Sequence, residues 1–227
     1  MTRLLTFLVV ISACIAATTA EAETWVEGQN YALVTPPQRT SVAAGKIEVM
    51  EVFSYGCPAC NGFQPVMNKL KRALPDNVQF VLLPASFNAS EDWPMFQRAY
   101  FAAQVLGIAE RTHQAIFDAV WKPGDLAVLV PGSSPPRLKN PLPTIQDAAA
   151  VYARVGGVKA DAFLAAANSF QVDMKMRAAD TQIAAMKVLG TPTIVVDGKY
   201  RVEMQSVRNT DELIELIKFL VAKAGGG

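Results

Sequence analysis

The chain has 227 residues, 51% of them hydrophobic, and 21 Lys and Arg against 20 Asp and Glu give a formal charge of +1. That balance leaves no basic stripe for nucleic acid or for an anionic membrane surface. The length fits one or two compact domains, and the apolar content is enough for a sizeable core.

In chain order, Arg3 precedes an apolar run from Leu4 to Ile11, and Ala20-Glu21-Ala22 offers an A-x-A cleavage site. This reads as an export signal over residues 1–22, with Glu23 as the first mature residue. The run is too short to span a bilayer, and it lacks the one-sided stripe of a buried helix. Ile11-Ser12-Ala13-Cys14 gives the same stretch a second reading, because it resembles a bacterial lipobox in which Cys14 would be acylated. Past the signal no apolar run approaches membrane-spanning length.

Lys46–Ser54 is apolar and β-branched enough for a buried strand. Cys57-Pro58-Ala59-Cys60 follows it directly. From Pro58 to Leu74 the apolar positions Phe63, Val66, Met67, Leu70 and Leu74 recur at helical spacing. Pro58 suits a first helical turn, whereas Pro65 removes a backbone bond and should kink the axis. Val78–Leu83 is a second strand, so strand, helix and strand predict a parallel pair with a right-handed crossover.

The next stretch favours helices: Met95–Leu106, Arg111–Trp121, Thr144–Val155, Asp161–Ser169 and a long Val172–Leu189, with stops at Gly107, Gly156-Gly157 and Gly190. Between the second and third helices, residues 122–143 are rich in proline and read as a long loop, a solvated spacer and the most mobile part of this region. Strands return at Thr193–Val196 and Tyr200–Met204, with Asp197-Gly198 as a tight turn. Asn209 or Thr210 caps a last helix through Ala222, striped by Leu213, Leu216, Ile217 and Leu220. The class is therefore α/β. A first part at 23–90 and a second part at 176–227 enclose an inserted helical domain at 91–175.

The two mature cysteines, Cys57 and Cys60, carry the chemistry. Half of a zinc site is one reading of C-x-x-C, but zinc needs about four ligands and the chain has a single histidine, His113. Covalent haem needs His after the second Cys, where Asn61 stands. A static disulfide between such near neighbours closes almost no loop and stabilises little. A redox-active dithiol is the favoured reading. At a helix N-terminus the Cys57 thiolate is stabilised, while Cys60, a turn further in, stays protonated longer. A substrate thiolate then attacks Cys57 and displaces Cys60. A second substrate thiol resolves the mixed disulfide, and a stabilised reduced form makes the pair a disulfide donor.

Phe53-Ser54-Tyr55-Gly56-Cys57-Pro58-Ala59-Cys60, together with Gly190-Thr191-Pro192-Thr193 and the run through Tyr200, resembles the DsbA family of thiol:disulfide interchange proteins over roughly residues 34–222. The resemblance implies a thioredoxin fold with an inserted all-helical domain. It also implies a cis-proline at Pro192 opposite the dithiol, and a Thr191 backbone offered to an incoming peptide as an added strand. Glu51 falls where the family has a partly buried acid that exchanges the Cys60 proton, although an exposed acid on an edge strand is the other reading. No cofactor is implied beyond the Cys57–Cys60 disulfide. The implied partners are reduced, unfolded exported proteins and a quinone-linked membrane reoxidant of the DsbB type, with the protein a periplasmic monomer in a Gram-negative bacterium. His113 reads as a helix-surface or packing residue without a catalytic role.

Two other functions stay open at this point. A reductase or isomerase of the same fold is one, although Cys57 lies only 34 positions after Glu23, which leaves no room for an N-terminal dimerisation module. The other is a peptide-binding chaperone with a non-essential dithiol, for which Phe53, Tyr55, Trp93, Met95 and Phe96 are candidates for an apolar surface, although core packing is the favoured reading of each. The family pattern often has histidine where Ala59 stands, and often an aliphatic residue where Thr191 stands. Pro58 and Ala59 tune the thiolate, and without a cation at 59 it should be less favoured. Ala59→His is therefore expected to move the Cys57 thiolate midpoint, read by ultraviolet absorbance, to lower pH; no downward shift would refute that role for position 59.

Overall fold

The structure, a computed structural model, describes residues 25–226. The export signal, its cleavage site and Cys14 lie outside the described residues. The strands are β1 (Tyr31–Leu33), β2 (Ile47–Phe53), β3 (Val78–Pro84), β4 (Thr193–Val196) and β5 (Tyr200–Val202). The helices are α1 (Pro58–Ala73), α2 (Trp93–Val105), α3 (Ala109–Trp121), α4 (Ile145–Gly156), α5 (Ala160–Ala167), α6 (Phe170–Ala185) and α7 (Thr210–Gly225).

The five strands form one sheet in the order β1-β5-β4-β2-β3. β2 runs parallel to β3 and antiparallel to β4, with Glu51 opposite Leu82 on one side and Ile194 on the other. All seven residues of β2 are buried, as expected for a strand covered on both faces. Val49, Ile194 and Val196 pack with Met67 and Leu70 of α1 and with the apolar stripe of α7. Met50, Val52 and Val195 join a larger cluster with α2 to α6. Each large aliphatic side chain fully buried in this way contributes about 1.5–3 kcal/mol. The helices α2 to α6 thus all lie between β3 and β4 in the chain.

Local chemistry explains most element ends. Thr144 and Asp147 form a reciprocal capping box on α4. Asn209 caps α7 by accepting from the backbone N–H groups of Asp211 and Glu212. α1 passes through Pro65 as one 16-residue helix, and Gln64 Nε2 donates to Cys60 O in the preceding turn.

Four features differ from the sequence reading. β1 has three residues, too few for a period to register, and is placed by pairing with β5. β5 ends at Val202, and Met204–Ser206 form a short 3₁₀ turn instead. α6 stops at Ala185, four residues short of Leu189. There Lys187 takes a left-handed φ of 53°, Val188 turns into the core, and Arg201 Nη1 donates to the carbonyls of Met186 and Lys187. Finally, residues 122–143 are not simply a solvated spacer. Leu126 and Val128 are buried, and paired backbone bonds (Val130 N to Arg137 O and Lys139 N to Val128 O, each 2.8 Å) fold the segment into a small hairpin.

The β4–β5 turn occurs as expected at Asp197-Gly198, both with positive φ (53° and 61°), the signature of a two-residue hairpin. Gln38 N–H donates to Gly198 O at 2.9 Å, and a Cβ on Gly198 would overlap the Gln38 carbonyl oxygen. Gly198→Ala is therefore expected to destabilise the protein by at least ~2 kcal/mol in denaturant titration, through the left-handed backbone plus the clash.

Candidate functional site

Between the end of β2 and the start of α1, a tight turn sets a sulfur at the helix N-terminus. Cys57 is the N-cap of α1, with extended backbone (φ −88°, ψ 115°), and its Sγ accepts the Cys60 N–H at 3.3 Å. Pro58 fills the first helical position, where a missing N–H is harmless. Both cysteines are free thiols and buried, whereas Pro58 and Ala59 between them are exposed. The Cys57 thiol is drawn down to about 6, first by the hydrogen bond from the Cys60 thiol and then by Thr191 and by the backbone N–H groups of Cys60 and Ala59, against the opposing effect of burial. Cys60 moves the other way, far above the ordinary thiol range. The hydrogen bond to Cys57 holds its proton, and burial and the Cys57 charge both disfavour a second anion. One sulfur is thus prepared to attack and to leave, the other to stay protonated.

The β4 end of the sheet closes the site. The Thr191–Pro192 peptide is cis, and in its thiol form Cys57 donates to Thr191 O at 3.4 Å. The Thr191 hydroxyl is buried and has no hydrogen-bond partner among the described residues. A backbone carbonyl that is not part of the β4 ladder therefore lies beside the reactive sulfur. Glu51 sits in the central strand, 1% exposed, and neither carboxylate oxygen has a hydrogen-bond partner. Burial pushes its carboxyl up to about 8, with Lys71 of α1 pulling it down and Cys57 pushing it further up. The edge-strand alternative for Glu51 is excluded. Cys57, Cys60, Thr191, Pro192 and Glu51, from three separate stretches of chain, meet at one end of the sheet.

Comparison with known proteins decides the family. A family model described as a DSBA-like thioredoxin domain matches residues 139–215. The thiol:disulfide interchange protein DsbA of Pseudomonas aeruginosa is 31% identical over 204 residues, 90% of this chain and 88% of that one. The chain belongs to the DsbA family. The DsbA of Azotobacter vinelandii is 32% identical over 195 residues, 86% of this chain and 82% of its own. Among solved structures, oxidoreductase DsbA from Xylella fastidiosa superposes with a TM-score of 0.75 at 32% identity, covering 89% of this chain and 98% of that one. The chain is accordingly a protein disulfide oxidoreductase with the DsbA architecture, a thioredoxin fold carrying a helical insertion.

Several residues around the DsbA-type dithiol went unnoticed in the sequence. Ser54 O accepts the Cys57 N–H at 3.1 Å and Ser54 Oγ accepts the Gly56 N–H at 3.2 Å, closing the turn; the S-x-G spacing is a signal for it. Trp121 Nε1 donates to Tyr55 O at 2.8 Å, and nothing local in the sequence announces that contact. His113 is a packing residue, not a surface one. Its ring meets Phe53, Tyr55 and Phe117 at centroid distances of 5.1, 5.4 and 5.1 Å, and Nδ1 is 3.0 Å from Tyr55 Oη. Burial lowers its pKa to about 4, so it is neutral at physiological pH. Among the described residues no group of three or more His, Cys, Asp or Glu is placed to hold a metal, and no helix is long and apolar enough to cross a membrane.

The five residues named for a chaperone reading form no apolar surface. Phe53, Tyr55, Trp93, Met95 and Phe96 are all buried, the most exposed of them at 8%. Apolar composition near a site cannot distinguish an outward face from a core.

Glu51 binds its proton up to about pH 8 when folded but only to about 4.5 when unfolded. The folded state holds more protons across that window, so this group lowers stability as pH rises through it. Glu51→Gln should match wild type below pH 4.5. It should then gain on wild type up to about pH 8, by at most ~1.4 kcal/mol per unit of pH; a difference independent of pH in thermal or denaturant melts would refute the buried-acid account.

Proposed function

We propose that this oxidoreductase donates its Cys57–Cys60 disulfide to newly exported proteins in the periplasm of a Gram-negative bacterium. The observation that carries the reading is the divergence of the two sulfurs, with Cys57 drawn down to about 6 at the N-terminus of α1 and Cys60 pushed up beneath it. A pair whose reduced form is stabilised in this way gives its disulfide away readily.

In the proposed cycle a substrate thiolate attacks Cys57 Sγ, and Cys60 leaves with the electron pair of the broken S–S bond. Glu51, protonated at neutral pH, supplies the proton that Cys60 takes up, directly or through water. The second substrate thiolate attacks the substrate sulfur of the mixed disulfide and releases Cys57 as a thiolate. Of the two protons that substrate loses, one reloads Glu51 and the other goes to solvent, because Cys57 leaves as a thiolate; the enzyme keeps the two electrons. A quinone-linked membrane partner of the DsbB type removes them again. Thr191 and Pro192 hold the substrate backbone beside Cys57 in an extended form, Pro58 and Ala59 tune the thiolate, and the working unit is a monomer after signal cleavage. The export signal and the family relationship support the location. A reductase of the same fold is the competing reading, because Pro-Ala between the cysteines does not fix the potential.

Oxidised protein is expected to oxidise a reduced, unfolded two-cysteine substrate, and Cys57→Ser is expected to abolish this. Equilibration with glutathione buffers should leave the pair largely reduced under mildly reducing conditions. A Cys57–Cys60 bond that persists in strongly reducing glutathione would overturn the donor assignment in favour of a reductase.

A further inference from the structure

The turn that presents Cys57 uses its own groups economically and leaves one over. Cys57 N–H goes to Ser54 O and Gly56 N–H to Ser54 Oγ. The carbonyl of Tyr55, the second residue of the turn, has no part in that pattern, and Tyr55 is 1% exposed. A buried carbonyl left unpaired would favour some other arrangement of the turn. Its partner comes from 66 residues away, where the indole N–H of Trp121, the last residue of α3, reaches Tyr55 O at 2.8 Å.

A second tryptophan of the insert touches the same turn in a different way. Trp93, at the start of α2, packs so close to Gly56 that a Cβ there would stand 2.6 Å from its Nε1. That indole N–H is directed to Glu91 Oε2 at 3.2 Å, away from the turn backbone. Trp93 therefore restricts the space around residue 56, and Trp121 bonds the backbone at residue 55. The two act on neighbouring peptides immediately ahead of the N-cap sulfur.

We infer that Trp121 is a positioning residue for the exchange reaction, fixing the Tyr55 carbonyl so that Cys57 keeps the backbone angles that aim the first N–H groups of α1 at its sulfur. The inference rests on Cys57 being the exchanging sulfur. It also gives the insert a direct part in the thiol chemistry, with the 122–143 hairpin starting at the next residue. The side of Trp121 toward that hairpin borders a cavity of about 320 Å³ that Val128, Val130 and Pro131 also line. A smaller ring at 121 enlarges an existing space and does not empty a close-packed one.

The test replaces Trp121 by Phe, which keeps an aromatic ring and loses the donor, and compares reduced proteins. The expected result is a Cys57 thiolate midpoint higher by ~0.5–1 pH unit and a glutathione equilibrium moved about three- to tenfold toward the disulfide form. A contact that only supports the fold would lower the melting temperature and leave both of those readouts at the wild-type value, which would overturn the inference. Should Trp121→Phe fail to fold, site-specific benzothienylalanine, which exchanges the N–H for sulfur at nearly constant shape, gives the same two readouts. A wild-type midpoint near that of a free thiol would overturn the donor reading and this inference together. A depressed wild-type midpoint with an unchanged variant overturns this inference alone.

Discussion

The hydrogen bond from Cys60 N–H to Cys57 Sγ is the interaction on which the rest of the site depends. It makes a cysteine do what Ser, Thr, Asp or Asn usually do at a helix start, accepting one of the free N–H groups there. Because the cap atom is also the nucleophile, helix formation and thiolate stabilisation are one event. Everything around it serves to hold that geometry. β2 delivers the turn, the Ser54 pattern closes it, and Pro58 starts the helix without wasting a donor.

Charge is managed as closely as geometry. At neutral pH Cys57, at about 6, is ionised, whereas Glu51, at about 8, and His113, at about 4, are both neutral. The thiolate is therefore the single ionised group among these three. Had Glu51 been solvated, its carboxylate would repel the sulfur anion at every pH where the enzyme works. Burial in the central strand removes that repulsion at a cost in stability above the acid range. The same burial leaves a proton in store next to the pair, which fits the role proposed for it.

How much of this was legible in the sequence follows from the range of each contact. β2, α1 and the Asp197-Gly198 turn are specified by neighbours in the chain: an apolar β-branched run, a Cys-Pro helix start, a turn dipeptide. Cys57, Cys60 and Pro192 can be singled out as candidates because their motifs are local. The end of α6 was not, because no glycine marks it; Lys187 takes the left-handed turn and Arg201, from β5, binds the last carbonyls. The hairpin at 122–143 was missed for a related reason. Its prolines are visible, but the burial of Leu126 and Val128 depends on helices distant in the chain. Trp121 belongs with these, since its partner lies 66 residues earlier. For five aromatic and apolar residues near the site the sequence favours core packing, as the structure has it, yet leaves a surface role open, because composition carries no information on which way a side chain points.

Like β4, β2 has successive residues that alternate between the two apolar clusters, Val49 in one and Met50 in the other. Neither side of the sheet can open without exposing part of the same seven residues, so both halves melt together. The chemistry sits at the C-terminal end of that strand. A bond that is made and broken at every turnover is thus anchored on a strand buried along its whole length. Redox cycling can proceed while the frame beneath it stays still.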